Sequence, residues 1–326
     1  MPDPDISTDN SDASFDVELG PKSVSVVVVS YNTCDKLRRC LGALPPEAEV
    51  VVVDNGSTDG SAEMVRNEFP HIALVANLDN RGFGPANNQG IAATTRPLIL
   101  LLNSDAYAEP GAVGELAGVF AEPDVVAAGG RLLNPDRSLQ MSTAGRLTLW
   151  AVFCEQTLLE KLAPDSRFLS PYWNTHRLEG AADVEQVMGA CLMMRRGLET
   201  FDERFFLYCE DTDLCRRLRR HGHIRYVPTA LFVHELGSSS STDRWRSVAR
   251  YNRGKELYFA IHHGPTSAAL CWLIDRFGAL LRLVGWMVPT VLTLGTHRRF
   301  RSQTALFWRV LTAPPAGPPS PLRTPR

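Results

Sequence analysis

The sequence carries almost no net charge: 34 basic side chains stand against 36 acidic ones over 326 residues. That balance excludes a dedicated nucleic-acid binder, which needs a basic surplus to neutralise phosphates. None of the seven cysteines (Cys34, Cys40, Cys154, Cys191, Cys209, Cys215 and Cys271) forms a CxxC pair. The usual zinc and dithiol motifs are therefore missing, and an odd count set largely in apolar runs fits reduced thiols in a cytoplasmic protein. The first twenty-two residues hold six acids and one lysine. They lack the basic start and apolar run of a signal peptide and read as a solvated acidic tail. No uncharged apolar run reaches the roughly 20 residues needed to span a bilayer. Neither GxGxxG nor GxxxxGK[ST] occurs, which removes the usual dinucleotide fingerprint and the P-loop NTPases. At 44% hydrophobic and 21% charged, the composition is that of a globular protein.

The pattern that is present alternates strands and helices. Residues 23–30 (SVSVVVVS) are a β-branched, uncharged run, as expected of a strand covered on both faces. Cys34–Leu44 then shows helical spacing through Leu37, Cys40, Leu41 and Leu44. Further strands are predicted at 50–53, 72–75 and 97–102, with helices at 58–69 and 90–95. Such alternation implies a parallel, doubly wound sheet, in which ligands bind beyond the carboxyl ends of the strands. Polar clusters sit at those ends: Ser30-Tyr31-Asn32, Asp54-Asn55-Gly56-Ser57 and Asn103-Ser104-Asp105. Asn80-Arg81-Gly82-Phe83-Gly84, with Asn87 and Asn88 following, comes after the third strand. For Asp54 and Ser57 a helix cap is an equal reading.

Five motifs in order carry a resemblance: VSVVVVSYN (24–32), VVVDNGSTDGS (51–61), NRGFGPANNQG (80–90), LLLNSDA (100–106) and MGACLMMRR (188–196). FDERFFLYCEDTDLCRRLRRHG (201–222) and YVPTALFVHELGSSS (226–240) extend it. Together they resemble glycosyltransferase family 2, in its rhamnosyltransferase-like branch. The resemblance implies an α/β fold of the GT-A type, with a mostly parallel nucleotide-binding sheet over 23–241. A C-terminal helical region would span 242–312, and a Pro-rich, disordered tail 313–326.

The resemblance also implies roles. Ser30, Tyr31, Asn32, Asp54, Asn80, Arg81, Gly82, Asn88, Asn103, Ser104 and Asp105 would bind a nucleotide diphosphate sugar. Arg81 reads equally as a solvated loop residue. Where the family carries Asp-x-Asp this chain has Asn103-Ser104-Asp105, so Asp105 is the one charged ligand left there for Mg²⁺ or Mn²⁺. His234 matches a further metal ligand, with a buried, hydrogen-bonded histidine as the alternative. Asp211 would be the base of an inverting transfer and Glu210 would orient acceptor or base. A helix-capping acid is the competing reading. Gly189, Ala190 and Cys191 would leave room for the acceptor, a cell-envelope glycan or a glycan on a polyprenyl diphosphate carrier. Asn103 also leaves a non-catalytic sugar-binding protein open. A sugar-phosphate nucleotidyltransferase would want a Gly-rich basic loop where SYNTCDKLRRC stands.

Charge is distributed unevenly. Residues 243–326 carry thirteen Lys/Arg against three Asp/Glu, leaving −12 for the rest. Arg244, Arg246, Arg250, Arg253 and Lys255 could meet a phosphate or form a solvated helix face. The apolar stretch 266–295 is interrupted by Asp275, Arg276 and Arg282. With Trp272, Trp286 and Arg298-Arg299-Phe300-Arg301 it suits a segment lying on the cytoplasmic face of a membrane. The alternative is a pair of helices packed on the protein or on a second copy.

Overall fold

The computed structural model describes residues 19–235 and 244–315. The expected tails fall largely outside that range, as do the boundary at 241/242 and the serines at the end of the last motif. The β-branched run forms β1 (Val24–Ser30), in which Val24, Val26, Val27 and Val28 are fully buried. It is followed by α1 (Cys34–Gly42), β2 (Glu49–Asp54), α2 (Ser61–Glu68), β3 (Ala73–Ala76), α3 (Phe83–Ala93) and β4 (Leu98–Asn103). These strands lie in the order β3-β2-β1-β4, all parallel. Helix α3 begins well before the expected Gly90. Its apolar periodicity is weak because Gly90 faces the sheet, where a Cβ would stand 2.3 Å from Val27 Cγ1. Close helix–strand contact replaces the large apolar side chain that sequence reasoning looks for.

The second half is mixed rather than parallel. It comprises β5 (Ala106–Ala108), α4 (Ala112–Gly118), β6 (Val125–Leu133), β7 (Thr143–Ala144), α5 (Leu149–Gln156), α6 (Leu159–Leu162), β8 (Ala182–Val184), β9 (Gln186–Val187), β10 (Cys191–Arg195), α7 (Glu210–Leu218) and β11 (His223–His234). The sheet continues from β4 through β10, β6, β11 and β5, with β8 also on β11 and β7 pairing only with β9. Strand β10 runs antiparallel to both neighbours, and β5 antiparallel to β11. The expected mostly parallel character thus holds for the first hundred residues and for β6–β11, not for the sheet as a whole.

Two C-terminal elements complete the described chain: α8 (Arg244–Leu292) and α9 (Arg298–Thr312). Helix α8 is broken at Gly264, where φ is 82° and Pro265 follows. The charges that interrupt its apolar stretch turn inward. Lys255 Nζ lies 2.7 Å from Asp275 Oδ1, with neither side chain exposed, and 3.5 Å from Glu155 of α5. Arg282 donates to the Gln156 carbonyl at 2.7 Å, and Arg276 to that of Val310 in α9 at 2.8 Å. Lys255 is therefore a buried weld between the two halves of α8 and not a phosphate contact. Removing one partner of such a pair strands a charge, whereas replacing both need not. Lys255→Met should cost about 3–5 kcal/mol in urea unfolding, and adding Asp275→Leu should recover most of it.

Candidate active site

The carboxyl ends of β1, β2 and β4 open into a cleft of about 470 Å³. Its far wall is the segment 206–211, and Ser247 and Arg250 of α8 also line it. The loops after β1 and β2 are stitched together. Thr58 N donates to Asn32 Oδ1 at 2.8 Å, and Asn32 N to Ser57 Oγ at 3.0 Å. Asn55 is the hub of the next layer. Its Nδ2 donates to Asn80 Oδ1 and to the Gly82 carbonyl, and its Oδ1 accepts from Arg81 N. Ser30, Thr33 and Ser104 form a buried hydroxyl chain with 2.9 Å links.

Segment 206–211 is held in an unusual shape. Tyr208 and Cys209 both have positive φ, at 75° and 66°, costly for residues with side chains. Neighbours press on it from two sides. Phe83 N donates to the Phe206 carbonyl at 2.9 Å, beside Gly82, where a Cβ would sit 2.7 Å from that oxygen. From α8, a Cβ on Gly254 would come within 2.5 Å of the Tyr208 carbonyl. The turn starts α7 so that Glu210 and Asp211 both line the cleft at its N-terminus. Asp211 Oδ2 accepts from Gly189 N at 3.0 Å and Oδ1 from Thr212 N at 2.8 Å. Glu210 is 5% exposed, and its Oε2 is buried without a hydrogen-bond partner. Burial, reinforced by the neighbouring Asp211 charge, pushes Glu210 up to about 8. Burial also raises Asp211, against the opposing backbone N–H donors of Gly189 and Thr212. Both carboxyls are thus raised by burial, and Asp211 differs in keeping two backbone N–H donors that favour its ionised form.

Opposite lies a second cluster. Antiparallel pairing sets His234 against Ala106, and Glu235 N donates to the Asp105 carbonyl at 2.9 Å. That register brings His234 Nε2 to 3.3 Å from both Asp105 Oδ1 and Asn103 Nδ2. Asn103 Oδ1 is buried with no hydrogen-bond partner. Among the described residues no group of three His, Cys, Asp or Glu could hold a metal ion. One carboxylate, one imidazole nitrogen and one orphaned amide oxygen nevertheless suit a hard or borderline divalent cation that also binds phosphate oxygens.

The structure sorts the expected residues. Tyr31, Asn80, Gly82, Asn103, Ser104, Asp105, Gly189, Ala190, Glu210, Asp211 and His234 line the cleft. Ser30, Asn32, Asp54, Arg81, Asn88 and Cys191 are not among its lining residues. Asp54 Oδ2 accepts from Ser57 N at 3.1 Å, the cap reading, while Oδ1 is buried without a partner. Asn88 is spent on the Phe201 peptide, donating to its carbonyl and accepting from its N–H. Cys191 is buried in β10 against Leu102. Arg81 is half exposed, 3.8 Å from Asp79. Asn55 was within sight in the Asp-Asn-Gly-Ser motif. Gln140, which accepts from or donates to His234 Nδ1 at 2.7 Å, had no motif to announce it. Arg250 lies over the Phe206 ring at 5.5 Å and has no ion pair among the described residues.

Comparison with known proteins bears on the family and the fold. The family model described as Glycosyl transferase family 2 matches residues 25–196, just over half of the chain. An N-acetylglucosaminyl-diphospho-decaprenol L-rhamnosyltransferase of Mycobacterium tuberculosis is 28% identical over 85% of this chain and 96% of its own. An O-antigen biosynthesis protein of Myxococcus xanthus is 29% identical over 88% of this chain, which spans 24% of that longer protein. Among solved structures, a mannosyltransferase of Pyrobaculum calidifontis, in complex with GDP-Man and Mn²⁺, superposes with a TM-score of 0.52. The match covers 91% of this chain and 88% of that one at 18% identity. That likeness bears on the fold.

The raised Glu210 has a stability signature. Its folded pKa lies above the unfolded one, so its contribution is fully present below the unfolded value and is lost as pH rises through about 8. Glu210→Gln should therefore melt close to the wild type near pH 4. Its advantage should grow steadily between about pH 5 and about pH 9 in thermal denaturation. A difference independent of pH would show that Glu210 is not held neutral.

Proposed function

The chain belongs to glycosyl transferase family 2 and is a glycosyltransferase, and from that premise we propose that it moves L-rhamnose from dTDP-rhamnose, with inversion, to a sugar carried on a polyprenyl diphosphate. The activity for which the mycobacterial relative is named supports the donor sugar and the lipid-linked acceptor, and assembly of a cell-envelope glycan is the corresponding role. The observation that carries the reading is Asp211, fixed by two backbone N–H groups at the cleft beside the buried Glu210. Asp211 takes the proton of the acceptor hydroxyl as its oxygen bonds to the anomeric carbon, while the nucleoside diphosphate leaves from the opposite face. Glu210, protonated at neutral pH, orients the acceptor by hydrogen bonding. Gly189 and Ala190 leave room beside it.

Tyr31, Asn55 and Asn80 form the nucleotide side of the cleft, and Arg250 offers a positive charge to phosphate. Asp105, His234 Nε2 and the amide oxygen of Asn103 would hold Mg²⁺ or Mn²⁺. Such a cation, when bound, supplies Lewis-acid stabilisation of the departing diphosphate. In an assay of diphosphate release from a panel of nucleotide sugars with Mg²⁺ or Mn²⁺, dTDP-rhamnose should be the preferred donor. Asp211→Asn should lower kcat by about 10²–10⁴-fold. Wild-type turnover in that variant would remove Asp211 as the base.

The same reading places α8 and α9 on the cytoplasmic face of a membrane. No helix among the described residues is long and apolar enough to cross one. Leu270, Leu273, Phe277, Leu280, Val284, Met287 and Val291, alternately three and four apart, are all exposed and form one stripe along the helix. Leu281, Val288 and Leu292 widen it with apolar rather than charged flanks. The two acids of the described C-terminal part, Glu256 and Asp275, are buried, while Arg298, Arg299 and Arg301 are exposed. An apolar stripe followed by exposed arginines fits anionic lipid. The full-length protein should sediment with phosphatidylglycerol vesicles and far less with phosphatidylcholine. Leu273→Glu with Leu280→Glu should abolish the difference. Failure of the wild type to bind phosphatidylglycerol at low salt would remove the membrane reading.

A further inference from the structure

Gln140 follows the turn after β6 and is 5% exposed, yet it belongs to none of the family-like motifs. A buried primary amide is costly unless its groups find partners, and here they do. Its Nε2 donates to the His234 carbonyl at 3.1 Å and to Asn134 Oδ1 at 2.9 Å. Its Oε1 lies 2.7 Å from His234 Nδ1. Two of the three contacts thus go to one residue, gripping both its backbone and its ring.

This arrangement decides where the imidazole proton sits. A backbone carbonyl can only accept, so the amide atom facing the His234 carbonyl has to be the NH₂ group. The amide oxygen is then left facing Nδ1, and since it carries no hydrogen, Nδ1 has to supply one. A neutral imidazole has a single N–H, so Nε2 presents a lone pair. Its surroundings agree: Asn103 Nδ2 at 3.3 Å can donate to it. A lone pair directed toward a carboxylate, with Asp105 Oδ1 at 3.3 Å, is an unfavourable pairing by itself. A cation shared by the two would make it favourable.

We propose that Gln140 is a positioning residue that holds His234 in its Nδ1–H tautomer, so that the ring meets a divalent cation through Nε2. The inference rests on the reading of Asp105 and His234 as metal ligands and adds the residue that makes the imidazole competent. It also bears on the loss of the second carboxylate at Asn103. With one charged ligand fewer, the orientation of the neutral nitrogen donor contributes a larger share of the affinity. Partners that fix a ligand histidine in this way are typically worth about 10–100-fold in metal affinity.

The tautomer is measured directly in the metal-free wild type by ¹⁵N-histidine NMR, with the resonance assigned by its disappearance in His234→Ala. A proton on Nδ1 and an unprotonated Nε2 are expected, and a proton on Nε2 alone would overturn the proposal. Mn²⁺ titration followed by EPR, in the presence of dTDP, supplies the second readout. Gln140→Leu should weaken Mn²⁺ binding about tenfold or more. Undiminished binding in a folded Gln140→Leu would overturn the role of Gln140. Absence of Mn²⁺ binding in the wild type would instead overturn the metal reading beneath it, and the NMR result separates the two failures.

Discussion

Tyr208 and Cys209 occupy the left-handed region in succession, a conformation that costs each of them on the order of 1–2 kcal/mol. It persists because the surroundings leave the chain no easier path. The Phe206 carbonyl is anchored by Phe83 N, and the Tyr208 carbonyl is pressed by α8 at Gly254. Only glycines permit approaches this close at those two points, because a Cβ at either would overlap backbone oxygen. The result is a sharp entry into α7 that turns Glu210 and Asp211 toward the cleft. The carboxylates, the polar hub at Asn55 and the C-terminal helix are therefore connected through one strained segment.

That connection runs in both directions along the sequence. Asn55 donates to the carbonyl of Gly82, and Gly82 and Phe83 meet Phe206. The nucleotide side and the base side of the site thus share a continuous set of hydrogen bonds and contacts rather than standing on independent loops. Backbone groups also do the fine positioning of Asp211, through Gly189 and Thr212. The small residue at 189 accordingly serves the carboxylate itself as well as the space beside it.

Much of this was legible in the sequence because parallel strands advertise themselves. Buried β-branched runs followed by Asn, Asp and Ser clusters locate the sheet edge, and the first four strands lie where those runs predict. The antiparallel half was less visible. Its strands are short or interrupted, and their pairing depends on distant partners such as β4 with β10. Side-chain destinations were harder still. Asn88 and Cys191 carry plausible residue types at plausible spacings, but one clasps the Phe201 peptide and the other lies inside the sheet. Lys255 looked like part of a basic face until the break at Gly264 folded Asp275 against it. Gln140 left no trace, since its role is defined by a residue 94 positions away.

The break at Gly264 divides the labour of α8 without dividing its mechanics. Ser247, Arg250 and Gly254 belong to the half that touches the cleft, and the apolar stripe belongs to the other. A dry ion pair between positions 255 and 275 locks them together, and Arg282 ties the second half to α5. The two halves form one bent element whose joint is held in the protein interior. The apolar arm and the arm that lines the cleft beside Glu210 and Asp211 are thus anchored through the same buried contacts.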